Sequence, residues 1–424
     1  MGYKEVDIVI IGAGITGLVL ASLIPNRETL IFEEDEIGGK IRTMCYKYKD
    51  REYFIELGPE SIVFDRDKLN FIEGYFPDIF EQKKIMKRNK IYIADGKEIY
   101  FIPSNISDFI YGDFMTFSEK VGFLIKFLFN KFIFEKDFYQ NCTLYDYSLK
   151  RFGRIFSERV IFPIFESVFG IDSKRLILKF VYPFVRKFEN EMFYRPVTMF
   201  TSPLGLSSIV NKLSQNKRIV KEKIHKIIFD GNCFFINDSY KCKKVVFTGE
   251  ASRMLPLLKE MSFYDKNIEL LCQDLSALNY HSSMIHIFIL NKIVSLKSNG
   301  VIFRSNDFVK SITFFSKKWY EESEIEVLRV FSKTSDYSAV FNELSKFFGF
   351  LNYDFENSII DYYSVFWDNS ILDYDSRYLD FYLSDKYYLR ELEKMGIFIF
   401  GSFLGGTGIV DRIVFVLKNF RRIL

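Results

Sequence analysis

The sequence predicts an α/β fold, and three observations predict it. Residues 5–11 (EVDIVII) form a largely apolar run ending at Gly12, as a buried strand of a parallel sheet does. Residues 15–24 (ITGLVLASLI) read as a helix closed by Pro25-Asn26. Residues 29–32 (TLIF) read as a second strand. Strand, helix and strand within about 30 residues make the minimal dinucleotide-binding unit.

The later elements follow from the same periodicities. Residues 66–150 read as mostly helical, interrupted by a hairpin-like piece at Lys90–Ile102 around Asp95-Gly96. Residues 151–190 read as helices punctuated by Pro163 and Pro183, and Ser207–Leu213 as a short helix after Gly205. Residues 218–250 read as strands with turns at Asp230-Gly231 and Asn237-Asp238. Residues 276–332 alternate as strands do (MIHIFIL, VIFRS, SITFF, VLRVF), and 336–350 read as a helix. Residues 396–404 form another strand entering glycines, and Ile409–Leu424 a closing helix. The whole is α+β in content.

Composition narrows the chemistry. The 424 residues are 48% hydrophobic, enough for two or three lobes. Lys and Arg total 58 against 55 Asp and Glu, a net charge of +3, so no nucleic-acid partner is expected. The 49 Phe and 26 Tyr match A/T-rich coding, and they also suit an aromatic pocket or a membrane-facing surface. Five cysteines (Cys45, Cys142, Cys233, Cys242, Cys272) show no C-x-x-C spacing, which argues for reduced thiols and a cytoplasmic location. Three scattered histidines (His225, His281, His286) argue against a metal site, and no G-x-S-x-G elbow supports serine chemistry. No signal peptide and no spanning helix are expected, since the first strand begins at Val6 and no run of 18 apolar residues exists.

The chemistry concentrates in glycines. Gly12-Ala13-Gly14-Ile15-Thr16-Gly17 fits G-x-G-x-x-G, follows a strand, opens a helix, and has an acid 16 residues after Gly17. Gly12 permits the tight turn, Gly14 lets backbone approach a pyrophosphate, and Gly17 lets helix and strand pack closely. Ile15 and Thr16 stand at the helix N-terminus, where free N–H groups favour an anion. Glu33 is placed to accept from ribose hydroxyls, with Glu34 beside it as a competing ligand; an acid there disfavours a 2′-phosphate. A second pair, Gly38-Gly39-Lys40-Ile41-Arg42-Thr43, follows, then Glu56-Leu57-Gly58-Pro59-Glu60-Ser61. Near the far end, Gly401-Ser402-Phe403-Leu404-Gly405-Gly406-Thr407-Gly408-Ile409-Val410-Asp411 runs strand, glycines, helix start. Such a helix aims its positive end at developing negative charge.

With these motifs the chain resembles the oxygen-dependent protoporphyrinogen oxidase family, FAD enzymes of haem biosynthesis within the amine-oxidase superfamily. The resemblance is densest in residues 5–65 and 396–412, with weaker matches at Ile164–Gly170, Met199–Leu206, Lys317–Trp319, Leu328–Phe331 and Trp367–Tyr374. It implies FAD as cofactor, held by Gly12, Gly14, Ile15, Thr16, Gly17, Glu33, Glu34, Gly38, Gly39, Lys40, Arg42, Gly58, Pro59, Ile224, Gly401, Gly406, Gly408 and Ile409. It implies a Rossmann-like FAD-binding domain from residues 1–65, 200–255 and 376–424, a mostly helical lobe at 66–199, and a sheet-based substrate lobe at 256–375. The implied reaction oxidises protoporphyrinogen IX to protoporphyrin IX, with oxygen as acceptor and hydrogen peroxide as product. Coproporphyrinogen III oxidation, another flavoenzyme activity of the superfamily, and non-catalytic FAD binding remain alternatives. Leu57, Leu204, Glu250 and Val410 depart from the family pattern. No catalytic acid or base stands out, and Arg195 and Arg304 are candidates for substrate propionates or simple surface charges.

Residues 121–134 (VGFLIKFLFNKFIF) place Val121, Leu124, Ile125, Leu128, Phe129 and Phe132 on one helix side, and Phe123, Phe127 and Phe134 on the other, among the lysines. Fourteen residues rise about 21 Å as a helix, too short to cross a hydrocarbon core. Either the helix is buried between neighbours, or it makes peripheral membrane contact on the inner face of the cell membrane, the reading that the resemblance favours.

Overall fold

The computed structural model describes residues 3–25, 29–130, 141–191, 198–261, 265–304, 306–406 and 408–424. The chain is 40% helical and 27% strand, an α/β fold with several sheets. It forms two compact units, one from Met1–Ile85, Thr198–Leu278 and Leu383–Leu424, the other from Met86–Val197 and Asn279–Tyr382.

The first unit centres on five parallel strands: β1 (Ile8–Ile11), β2 (Thr29–Glu33), β3 (Ile219–Lys221), β4 (Lys244–Phe247) and β5 (Ile397–Ile399). Their order is β3-β2-β1-β4-β5. Three helices matter for the site: α1 (Ile15–Leu23), α2 (Ser207–Ser214) and α3 (Ile409–Asn419). Ile8, Ile10, Ile31, Val246 and Phe398 share one core with Leu18, Val19, Ile209, Val210, Ile413 and Val416 from these helices. Val9 and Val245, on the opposite face by alternation, are fully buried as well. Both faces are covered, which is why β1 and β4 read as continuous apolar runs rather than alternating ones.

The expected strand 5–11 is two strands. Lys4–Glu5 pairs in parallel with Tyr240–Cys242 in a separate four-stranded sheet, and Ile8–Ile11 enters the main sheet. The turns expected at 230–231 and 237–238 join the strands of that smaller sheet. Asn237 and Asp238 both take positive φ (48° and 53°), the type I′ geometry that matches strand twist. The Asp230 carboxylate accepts from Asn232 and Cys233 N–H, 2.8 Å each, closing the other turn.

The second unit holds a seven-stranded sheet in the order Ile359–Leu372, Tyr280–Leu290, Glu326–Ser332, Val309–Phe314, Ser298–Phe303, Lys90–Asp95, Glu98–Phe101. The hairpin-like piece at 90–102 is thus a real hairpin, turned at Gly96 (φ 61°) and paired in parallel with Ser298–Phe303. That pairing puts residues 86–197 in one unit with 279–382. Residues 66–85 instead belong to the first unit, where Lys84–Ile85 pairs with Met199–Thr201. Neither proline interrupts its helix as expected: Pro163 lies where the π-helical turn Ser157–Ile161 passes straight into the helix Phe162–Phe169, and Pro183 lies inside the helix Leu178–Glu191.

The helix Phe117–Asn130 is two-faced. Phe123 and Phe127 are buried against Phe152 and Phe156, whereas Val121, Leu124, Ile125, Leu128 and Phe129 are exposed. Lys126 donates to the Leu149 carbonyl at 3.0 Å, so it is tied to its own unit. Lys131, Phe132 and Phe134 lie outside the described residues, as does Arg195. Among the described residues no helix is long and apolar enough to cross a membrane.

Candidate cofactor site

The glycine turn between β1 and α1 is held open by contacts only glycine permits. Gly12 has φ 105°, and a Cβ there would stand 2.9 Å from Thr248 Oγ1. A Cβ at Gly17 would stand 2.0 Å from the Gly12 carbonyl oxygen, so helix and turn close directly on each other. Gly14 is different. It has ordinary extended backbone, φ −70° and ψ 179°, and a Cβ there would meet nothing within 4 Å. The space beside Gly14 is open to a ligand. Gly14 is also the N-cap of α1 and offers no side-chain oxygen to the first N–H groups of the helix, while Ile15 and Thr16 form its first turn.

Glu33 ends β2 with its side chain turned under this loop. Ala13 N–H donates to Glu33 Oε2 at 2.7 Å and Asp35 N–H to Oε1 at 2.9 Å, and the residue is buried. Its carboxylate therefore fixes both the glycine turn and the following loop, and each oxygen retains a lone pair for a further donor. Glu34 pairs with Arg253, and with Lys223 at 3.7 Å.

The second glycine pair closes on the first. Gly38 N–H donates to the Ala13 carbonyl at 2.8 Å, and Gly14 and Gly38 form an isolated parallel bridge. Gly38 and Gly39 have φ of 101° and 60°, and a Gly39 Cβ would approach Gly14 Cα at 3.5 Å. Lys40 pairs with Glu250 at 2.5 Å. Arg42 bonds the Gly39 carbonyl at 3.0 Å and Asp35 at 2.5 Å, and its guanidinium hydrogen bond lowers the Asp35 pKa. The Arg42 carbonyl accepts from Leu57 N–H at 2.8 Å, which brings Gly58 and Pro59 beside this loop. Ile224 is buried just beyond β3.

The late glycines meet the same end of the sheet. Gly401 caps a one-turn helix, Ser402–Gly405, directly after β5. Gly406 has φ 85°, and Gly408 caps α3 without a side-chain bond, with Ile409 buried behind it. Thr407 lies outside the described residues. Asp411 pairs with Lys68 at 2.8 Å; burial works against the lysine's charge, but the carboxylate outweighs it and raises its pKa.

The sequence motifs left Thr248 and Arg412 out and gave Glu56, within Glu56–Ser61, no role of its own. Thr248 Oγ1 donates to the Ile11 carbonyl at 2.8 Å and lies 3.1 Å from that of Gly12, tying β4 to the turn. Glu56 is buried and accepts from Leu206 N–H at 2.7 Å and Thr43 Oγ1 at 2.8 Å, joining the 43–56 hairpin to α2. Arg412 is buried between α3, β5 and α1. Thr248 and Arg412 carry no local pattern, because each acts on residues distant in sequence. Of the substrate-cation candidates, Arg304 pairs with Asp95 at 2.6 Å and with Glu158 at 3.6 Å. Among the described residues no group of histidines, cysteines and acids has the makings of a metal site.

No protein-family model matches the sequence. No curated protein matches it either. Solved structures do. A candidate protoporphyrinogen oxidase from Exiguobacterium sp. 255-15 superimposes with a TM-score of 0.80 at 19% identity, covering 100% of this chain and 99% of that one. A reduced UDP-galactopyranose mutase gives 0.72 at 13%, covering 98% and 97%. An oxidoreductase from Methanosarcina mazei gives 0.64 at 12%, covering 98% and 100%. What these likenesses establish is the fold, an α/β architecture shared over essentially the whole chain.

Proposed function

We propose that the first unit holds FAD and that the chain is an FAD-dependent oxidoreductase, oxidising protoporphyrinogen IX to protoporphyrin IX with oxygen as acceptor. The observation that carries the cofactor assignment is the open space at Gly14, flanked by the buried Glu33 carboxylate and the uncapped N-terminus of α1. These residues fit a dinucleotide. Glu33 would accept from ribose hydroxyls, Gly14 and the first N–H groups of α1 would face the pyrophosphate, and the N-terminus of α3 would face the flavin end. The chemistry such a cofactor supplies when bound is hydride acceptance. The protein's part is to orient, to exclude water, and to present positive helix ends where negative charge develops.

The porphyrinogen reading rests on the sequence resemblance, and the overlay on the Exiguobacterium protein supports it over the full length. Coproporphyrinogen III is the alternative substrate. Two assays test the reading. Heat-released cofactor should chromatograph as FAD rather than FMN or NAD, and incubation with protoporphyrinogen IX in air should produce porphyrin fluorescence and peroxide. Fluorescence from coproporphyrinogen III alone selects the alternative, and turnover of neither removes the porphyrinogen reading. We also propose peripheral membrane contact through the exposed face of Val121, Leu124, Ile125, Leu128 and Phe129.

A further inference from the structure

Arg412 occupies an unfavourable place for a cation. It stands in the first turn of α3, at the positive end of the helix dipole, and is only 3% exposed. Its hydrogen bonds explain why it is kept there. Nη1 donates to the Gly401 carbonyl at 2.9 Å, Nη2 to the Phe400 carbonyl, and Nε to Thr16 Oγ1 at 3.1 Å. Phe400 and Gly401 lead out of β5 into the late glycines, while Thr16 is the residue before the last glycine of the first fingerprint. The planar guanidinium thus bolts together two glycine segments whose fixed points lie 385 residues apart in sequence, counting from Thr16 to Gly401.

We propose that Arg412 is a positioning residue that sets the register between the pyrophosphate end and the ring end of the bound dinucleotide. The inference rests on the FAD reading above. Its consequence is specific to a two-ended ligand. ADP engages only the α1 end and needs no register, whereas FAD engages both ends and needs them correctly spaced. Loss of the bolt therefore lowers affinity for FAD more than affinity for ADP. A lysine does not replace the arginine, because one ammonium cannot reach both carbonyls and the hydroxyl in a fixed plane.

The test uses the full-length chain freed of flavin, titrated separately with FAD and with ADP by calorimetry. Arg412→Met should raise the FAD dissociation constant about tenfold or more, the scale of losing such bonds, with ADP changed less than about twofold. Arg412→Lys should resemble Arg412→Met. Thr16→Val removes a single acceptor at nearly constant volume, so it should show the same selectivity at about threefold even where Arg412 variants fold poorly. Equal losses for FAD and ADP in the Thr16 variant, or no loss for either, would overturn the proposal. Wild type binding neither ligand overturns the cofactor reading itself, a different and separately visible outcome.

Discussion

The glycine loops of the first unit and the seven-stranded sheet of the second bury charge in different ways. In the first, Glu33 and Glu56 sit beneath backbone N–H groups and hydroxyls, and Arg412 sits over carbonyls. In the second, Glu326 is fully buried on the central sheet with the Lys317 ammonium 3.4 Å away. Burial pushes Glu326 up to about 7, with Lys317 pulling the other way. His286 is also fully buried, bonded to Tyr362 at 2.7 Å and Ser332 at 2.9 Å, and burial lowers its pKa. The first arrangement spends charge on shaping loops around an open space. The second stores titratable groups in a sealed sheet, where their cost appears as pH dependence.

The largest effect that sharpens this contrast is at Gly17. A methyl group there would lie 2.0 Å from backbone oxygen, so Gly17→Ala should cost about 3 kcal/mol or more and abolish flavin retention. A thermal melt with flavin absorbance checks it; an unshifted melt breaks the close-packing argument. Next in size is Glu326. Its folded pKa exceeds the unfolded value, so the folded state binds the extra proton. The contribution of Glu326 to stability is therefore fullest below about pH 4.5 and falls as pH rises through about 7, by at most about 3 kcal/mol. Denaturant titrations between pH 5 and pH 8 should show that slope in wild type and a flattened one in Glu326→Gln. A slope unchanged by the substitution would mean the sheet does not hold a strained carboxyl. Smaller again is Thr248→Val, which removes a hydroxyl from two carbonyls and should cost about 1 kcal/mol with a modest loss of flavin affinity.

Much of the first unit was legible because its signals are local. The G-x-G-x-x-G turn, the strand before it and Glu33 lie within 29 residues of each other, from Glu5 to Glu33. The Lys4–Glu5 break was not legible, since its partner strand lies beyond residue 239. The reading of Pro183 as punctuation failed for a similar reason: the helix continues through it, with Val181 and Val185 buried on either side of the proline. The roles of Thr248, Glu56 and Arg412 needed the fold, because each joins elements that only the sheet order brings together. For the helix Phe117–Asn130, periodicity separated the two faces but could not say which one packs; Phe123 and Phe127 do.

The smallest effect on stability is expected at that exposed face. Leu128→Glu with Phe129→Glu should leave the melt nearly unchanged, within about 0.5 kcal/mol, as surface substitutions do. Flotation with anionic liposomes should carry wild type upward and leave the variant behind. If both stay at the bottom while folded, peripheral membrane contact is lost and the comparison reduces to the two interiors.

Gly14 separates protein from cofactor most sharply, because the fold leaves room for a Cβ there and a bound pyrophosphate does not. The backbone there suits any residue and a Cβ meets no protein atom within 4 Å, so Gly14→Val should fold with a melt close to that of the flavin-free wild type. The measurement is the flavin absorbance of the two purified proteins at equal concentration. FAD binding at Gly14 makes the wild type yellow and a folded Gly14→Val colourless. A folded Gly14→Val with full flavin absorbance would contradict it.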